Sequence, residues 1–333
     1  MASASRCLLV AGCLLGAAHA FSTPAARGGV PERGPAFSGG GAADLQRLAE
    51  PQVAASQPEE PTSRLGPLIF GALLGLVVAV TGASQPALAD AKAWGYKDPN
   101  TEWSADFAAC SGKEQSPIDL KASDVSGTAS ESLASRLSYK PLEKAEIFNN
   151  GGKNVQVNGG FGTFKLPDGD YEVKQFHFHF PSEHKVDGKL AAGELHIVHQ
   201  KKGASGTDGL AVVGLVLDEQ GSPNESAPEF KFLKQLGFGT ELPGAGSKNQ
   251  VAEPLDLNNF ANEFGGGFKH YTGSLTTPPC AEKVHWYVCN KTVPVSKAMV
   301  KTFQARFPEN NRPVQPLNVR KLVANEITVP GEF

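Results

Sequence analysis

The chain has 333 residues, 40% of them hydrophobic and 20% charged, with a formal net charge of -3. That composition is ordinary for a globular protein and leaves room for one large domain or two. No basic run occurs anywhere, which excludes the electrostatic footprint of a nucleic-acid binder or a polybasic membrane patch, so a small-molecule partner is expected.

Residues 1–20, MASASRCLLVAGCLLGAAHA, have one Arg, a short apolar core and a small-residue end, Ala18-His19-Ala20. This is the pattern of a signal peptide. Residues 21–64 are rich in Gly, Ala, Pro and Ser and nearly free of periodicity, which reads as a disordered transit or linker region. A second apolar segment follows over residues 65–89. Two readings stand for it: a membrane anchor retained over residues 65–80, near the lower limit of the ~20 residues that span a bilayer, or a second cleavable signal. Ala87-Leu88-Ala89 before Asp90, with no basic stop-transfer cluster behind it, favours cleavage. Two signals in series resemble targeting to the thylakoid lumen in algae with complex plastids. Secretion and extracellular membrane anchoring are the alternatives.

From residue 90 to 333 the sequence is continuous, with no internal repeat or linker, and reads as one domain. Strand-like runs cover 145–148, 154–157, 161–166, 171–180, 194–200, 210–217 and 284–289, separated by Gly, Pro, Asn and Asp clusters. Helical patterns are short, the better ones at 229–236 and 296–307. The expectation is a mainly β fold: a large, mostly antiparallel twisted sheet with short peripheral helices.

Two of these runs carry histidines at strand spacing. In QFHFHF, residues 175–180, alternation places Gln175, His177 and His179 on one face and Phe176, Phe178 and Phe180 on the other. In GELHIVHQ, residues 193–200, Glu194, His196 and Val198 share a face, and His199 lies opposite. The thirteen residues from Pro181 to Gly193 allow antiparallel pairing, so three imidazoles can converge. Three imidazoles with a fourth position open is the pattern of a catalytic zinc site. Gln175 and Glu194, each two residues from a histidine on the same face, are suited to fixing its tautomer by hydrogen bonding. A cupin-type metal pattern, with Glu183 as the carboxylate ligand, also fits H-x-H-x3-E, but the bracketing glycines of that motif are missing.

The ordered blocks Trp94-Gly95-Tyr96, Gln115-Ser116-Pro117-Ile118-Asp119, Asn149-Asn150-Gly151, Gln175 to His179, Pro181-Ser182-Glu183-His184, Glu194 to His199, Gly273 to Pro279 and Arg312 to Leu317 resemble the α-class carbonic anhydrases across the whole domain. The resemblance implies that fold and the zinc-dependent, reversible hydration of carbon dioxide to bicarbonate and a proton, by attack of zinc-bound hydroxide. It makes His177, His179 and His196 the Zn2+ ligands. It gives Thr276 a hydrogen bond from the hydroxide, with Thr276 donating in turn to Glu183. Val198, Val212, Leu275, Thr277, Val284 and Trp286 become the substrate pocket, and Tyr96, Asn150 and Gln156 a cavity water network. His184 and His199 are expected to be structural, while no role is assigned to His270 or His285.

Many family members carry a proton-transferring histidine after the Asn-Asn-Gly block. Here the run is NNGGKNVQV, and Gly152 or Lys153 takes that place. With a reference pKa of ~10.4, Lys153 is a poor carrier at neutral pH, so dependence of turnover on buffer is expected. The resemblance also pairs Cys110 with Cys280 in a disulfide worth ~4 kcal/mol in chain entropy, leaving Cys289 free, while Cys7 and Cys13 fall in the first signal. Asn224-Glu225-Ser226 and Asn290-Lys291-Thr292 match glycosylation acceptors, with Asn224 the better placed.

Overall fold

The computed structural model of the protein describes residues 93–307 and 309–327, all within the compact unit Ala83–Phe333. The signals and linker expected over residues 1–89 lie outside these residues. Among the described residues no helix is long and apolar enough to cross a membrane.

A 13-stranded sheet organises the described chain. Its centre runs from Phe268–Ser274 through Glu282–Cys289, Leu210–Gln220, Gly193–Lys201 and Gly169–His179 to Val155–Asn158. All seven strand-like runs read from the sequence are strands, shifted by one to three residues at their ends. The two helical patterns form Pro228–Gln235 and Lys297–Gln304. The second opens on Ser296, whose hydroxyl accepts the Met299 N–H at 3.3 Å as an N-cap.

Most pairings are antiparallel, but the sheet is mixed. Leu210–Gln220 runs parallel to both Glu282–Cys289 and Val293–Ser296, and Val125–Thr128 runs parallel to Leu322–Ala324. Parallel neighbours need a crossover, and here more than sixty residues separate Leu210–Gln220 from Glu282–Cys289 in the chain.

The long strand Gly169–His179 owes its position to its phenylalanines. Phe176, Phe178 and Phe180 are fully buried, and their rings pack against Phe161, Phe232 and Phe238. Each contributes roughly 1.5–3 kcal/mol of burial. The pairing register with Gly193–Lys201 shifts between Val173 and Gln175, so Val173 opposes His199 whereas Gln175 opposes Val198. This bulge changes the face that odd-numbered residues occupy. Tyr171 and Val173 belong to the phenylalanine core, while Gln175 and His177 face the opposite side.

Cys110 and Cys280 form a disulfide across 170 residues of sequence, and Cys289 is a free, buried thiol. Asn224 is exposed in the loop before Pro228–Gln235, where its Oδ1 accepts the Ser226 N–H at 3.0 Å. Asn290 is exposed too, but its Oδ1 accepts from Lys269 Nζ at 3.2 Å.

Candidate active site

The register of the two histidine-bearing strands sets His177 directly opposite His196, with Gln175 opposite Val198 and His179 opposite Glu194. Directly opposed residues share a face. His177, His179 and His196 therefore come together as two neighbours along one strand and one across the ladder. One nitrogen from each lies within 4.8 Å of the others, and ring centroids are 4.7–5.2 Å apart.

Hydrogen bonds on the far side of two rings decide which nitrogens are free. His177 Nδ1–H donates to Gln175 Oε1 at 2.8 Å, and His179 Nδ1–H donates to the Asn310 carbonyl at 2.6 Å. Both acceptors can only accept, so the proton stays on Nδ1 and the Nε2 lone pair is free. His179 Nε2 is buried without a hydrogen-bond partner. His196 is turned the other way, with Nε2 3.1 Å from Glu194 Oε1 and Nδ1 3.8 Å from Glu183 Oε2.

Burial holds all three imidazoles neutral. It takes His177 well below its ordinary value, helped by its two histidine neighbours, brings His179 to about 4, and lowers His196. A neutral imidazole is the form that binds a metal, since protonation and coordination compete for one lone pair. Three converging neutral nitrogens, one of them buried and orphaned, fit a metal ion.

A second grouping, His184 with Glu194 and His196, has a different character. His184 Nδ1 lies 2.7 Å from Glu194 Oε1 and its Nε2 lies 2.7 Å from Tyr271 Oη, so both ring nitrogens are engaged. Glu194 Oε2 accepts the backbone N–H groups of Glu183 and His184 at 2.9 and 2.8 Å. Burial alone would raise the Glu194 pKa, but His184 and His196 outweigh it and hold the carboxyl well below the usual range. His199, on the opposite face, is bonded to Tyr139 Oη at 2.9 Å and to the Ala211 carbonyl at 3.3 Å.

Glu183 is fully buried beside the triad, with Oε1 accepting the Arg312 N–H at 2.8 Å. Burial raises its pKa to about 7, against the field of His196 and a hydrogen bond from the Thr276 side chain. Thr276 is itself buried, in the loop that the disulfide closes at Cys280. Val198, Val212, Val284 and Trp286 form one apolar cluster with Leu275 packed against it, and Trp286 lies 4.8 Å from His196 by ring centroids. Thr277 is half-buried, and its carbonyl accepts the Cys280 N–H.

The polar residues of the expected water network are placed unequally. Gln156 opposes His177 in register but donates to Asn158 Oδ1 at 2.7 Å. Asn150 is exposed in the turn beyond the strand. Tyr96 Oη is buried without a partner, and burial together with the Glu183 charge raises its pKa well above 10. Lys153 places its Nζ 4.1 Å from the centre of the Trp94 ring.

Two contributors escaped the sequence reading. Asn310 holds His179 through its carbonyl, while its side chain accepts from Phe180 N–H and donates to the Phe178 and Lys153 carbonyls. Arg312 presents its N–H to Glu183 and buries its guanidinium against Gln115 Oε1 and the Ser116 and Cys110 carbonyls. Only the Arg312 block was visible as a motif. The role of Asn310 has no local signature, because its partners are 130 to 157 residues away in sequence.

Residues 98–326 match the family described as eukaryotic-type carbonic anhydrase. A carbonic anhydrase of Nostoc sp. is 38% identical over 265 residues, covering 75% of this chain and 94% of the relative. Among solved structures, the α-carbonic anhydrase of Photobacterium profundum superposes with a TM-score of 0.59 at 31% identity, covering 69% of this chain and all of that one. The α-carbonic anhydrase of Thermovibrio ammonificans, solved with the inhibitor sulfanilamide, gives 0.59 at 31% identity over 69% of this chain and 98% of its own.

Proposed function

This chain belongs to the eukaryotic-type carbonic anhydrase family and is a carbonic anhydrase enzyme, and from that premise we propose that it carries out zinc-dependent, reversible hydration of carbon dioxide to bicarbonate and a proton. The observation that carries the reading is the set of three neutral imidazoles, His177, His179 and His196, with the far nitrogens of His177 and His179 already bonded and His179 Nε2 buried without a partner. Zinc held there supplies a Lewis acid that lowers the pKa of a coordinated water to about 7, a value that belongs to carbonic anhydrases as a class.

The remaining chemistry belongs to the chain. Glu183 accepts the Arg312 N–H at Oε1, and its carboxyl also takes a hydrogen bond from the Thr276 side chain. In its ionised form the Glu183 carboxylate only accepts, so Thr276 then donates to it and turns its own oxygen toward the nucleophile, fixing the direction of attack. Val198, Val212, Leu275, Val284 and Trp286 form a dry wall for a substrate that has no charge to grip. Gln175 and Glu194 hold two of the rings in orientation.

The paired N-terminal signals and the Cys110–Cys280 disulfide support an oxidising compartment, and the thylakoid lumen is the proposed setting. N-terminal sequencing of the mature protein tests it: a start near Asp90 is expected, and retention of residues 65–80 replaces it with an anchored form.

Metal analysis and a hydration assay before and after chelation test the activity. About one zinc per chain is expected, with activity lost on chelation and restored by zinc. A protein that hydrates carbon dioxide equally well without metal overturns the reading.

A further inference from the structure

Thr276 and Glu183 come from different parts of the chain. Thr276 lies in the loop after Phe268–Ser274, and Glu183 follows Gly169–His179. Their partnership depends on what fixes that loop against Glu183. Two arms reach in from opposite sides: the Arg312 main-chain N–H holds Glu183 Oε1 at 2.8 Å, and the disulfide from Cys110 ties down the Thr276 loop at Cys280.

One side chain touches both arms. Gln115 is 2% exposed, and its Oε1 accepts from Arg312 Nη1 at 2.9 Å, while its Nε2 donates to the Cys280 carbonyl at 3.2 Å and to Glu282 Oε1 at 2.9 Å. The amide can sit only this way round, because a guanidinium only donates and a carbonyl only accepts. The Arg312 guanidinium also holds the Cys110 carbonyl at 3.1 Å, so both halves of the disulfide hang on the Gln115–Arg312 pair. Glu282 braces the far end, since its Oε1 accepts the Glu114 N–H at 2.8 Å as well.

Gly112 is an independent sign that this contact is built. A Cβ there would stand 1.9 Å from Glu282 Oε1 and 2.9 Å from Gln115 Nε2. Its φ of -61° is open to any residue, so close approach rather than backbone freedom explains the glycine. A side chain at this position would push the Glu282 carboxylate off Gln115.

We propose that Gln115, braced by Glu282, is a positioning residue for hydration: acting through Arg312 and the Cys280 carbonyl, it sets Thr276 and Glu183 in the mutual geometry that directs attack. The proposal rests on the hydration activity proposed above. Gln115 bonds to none of the three histidines among the described residues, so its effect falls on orientation and not on the hold on the metal.

The test starts from Gln115→Met, which keeps the length of the side chain and removes its hydrogen bonds. In the zinc-loaded enzyme kcat/KM should fall about ten- to hundredfold, with zinc affinity unchanged. In a Thr276→Ala background the same substitution should change kcat/KM by less than about twofold, because the orientation it serves is already gone. An equal loss in both backgrounds shows a general structural defect and overturns the proposal. Gly112→Ala and Glu282→Leu should lower kcat/KM in the same direction, and Glu282→Gln, which keeps an accepting oxygen, should restore most of what Glu282→Leu loses. These three carry the same comparison if Gln115→Met does not fold. Independently of turnover, backbone amide exchange in the metal-free protein should speed up about tenfold or more at Arg312 and Cys280 in Gln115→Met, while His177 and His196 keep their protection. Unchanged exchange at Arg312 and Cys280 overturns the clamp. Absence of hydration in the unsubstituted enzyme overturns the function instead, and amide exchange then decides the clamp alone.

Discussion

The histidines show how far a residue's neighbours decide its chemistry. His177 and His179 are oriented by acceptors of different origin: Gln175 from the same strand, and the Asn310 carbonyl from a distant loop. Gln175 was legible because strand alternation places residues two apart on one face. Asn310 was not, because no local spacing marks a loop 131 residues away. Its side chain also joins Phe180, Phe178 and Lys153. Asn310→Ala keeps the main-chain carbonyl that holds His179 but is expected to cost about 1–3 kcal/mol by leaving buried backbone groups unpaired, and to weaken zinc binding by no more than about tenfold, through loosening of the loop that carries that carbonyl. Denaturant midpoints and zinc competition with a chelator measure the two effects separately.

At the level of elements, period-two alternation predicted the faces of both ligand strands from residue 175 onward. The bulge at Lys174 had no such signal, and it reverses the faces of Tyr171 and Val173 relative to simple alternation. Strand Phe268–Ser274 was read only as part of a motif, because FKHYTGS mixes polar and apolar residues that are nearly all buried. The second ligand strand begins at Gly193, where a Cβ would lie 2.8 Å from the Phe180 ring and 2.9 Å from the His179 carbonyl. Neither neighbour has room to give, since the ring is in the core and the carbonyl is backbone. Gly193→Ala is expected to destabilise the fold by about 1–3 kcal/mol and to shift His196 against His179. A lower thermal midpoint together with reduced zinc affinity is the expected readout, and unchanged values of both would show that the strands yield.

Over the whole molecule, the buried imidazoles outside the proposed metal triad set an acid limit. Burial takes His199 and His285 down to about 4 and His270 to about 3. His285 has neither ring nitrogen hydrogen-bonded among the described residues. Between pH ~6.5 and these values the unfolded chain binds protons that the folded chain excludes. Stability therefore rises with pH through this window and is lost as pH falls, by up to ~1.4 kcal/mol per unit for each imidazole. Urea midpoints at pH 7, 6 and 5 should fall progressively, and His199→Gln should flatten the slope.

The sequence alone determined the histidine pattern and the Thr276 and Glu183 candidates, because each lies in a local run or a recognisable block, while the family resemblance supplied the apolar wall and the cysteine pair. Tertiary structure decided the mixed pairing of the sheet, the face reversal at Lys174, the grip of Asn310 and Arg312 on His179 and Glu183, and the parking of Lys153 on Trp94. Side-chain direction along a strand follows from backbone geometry and is written in the sequence two residues at a time. Which loop closes over that strand depends on packing between segments more than a hundred residues apart, and no local period records it.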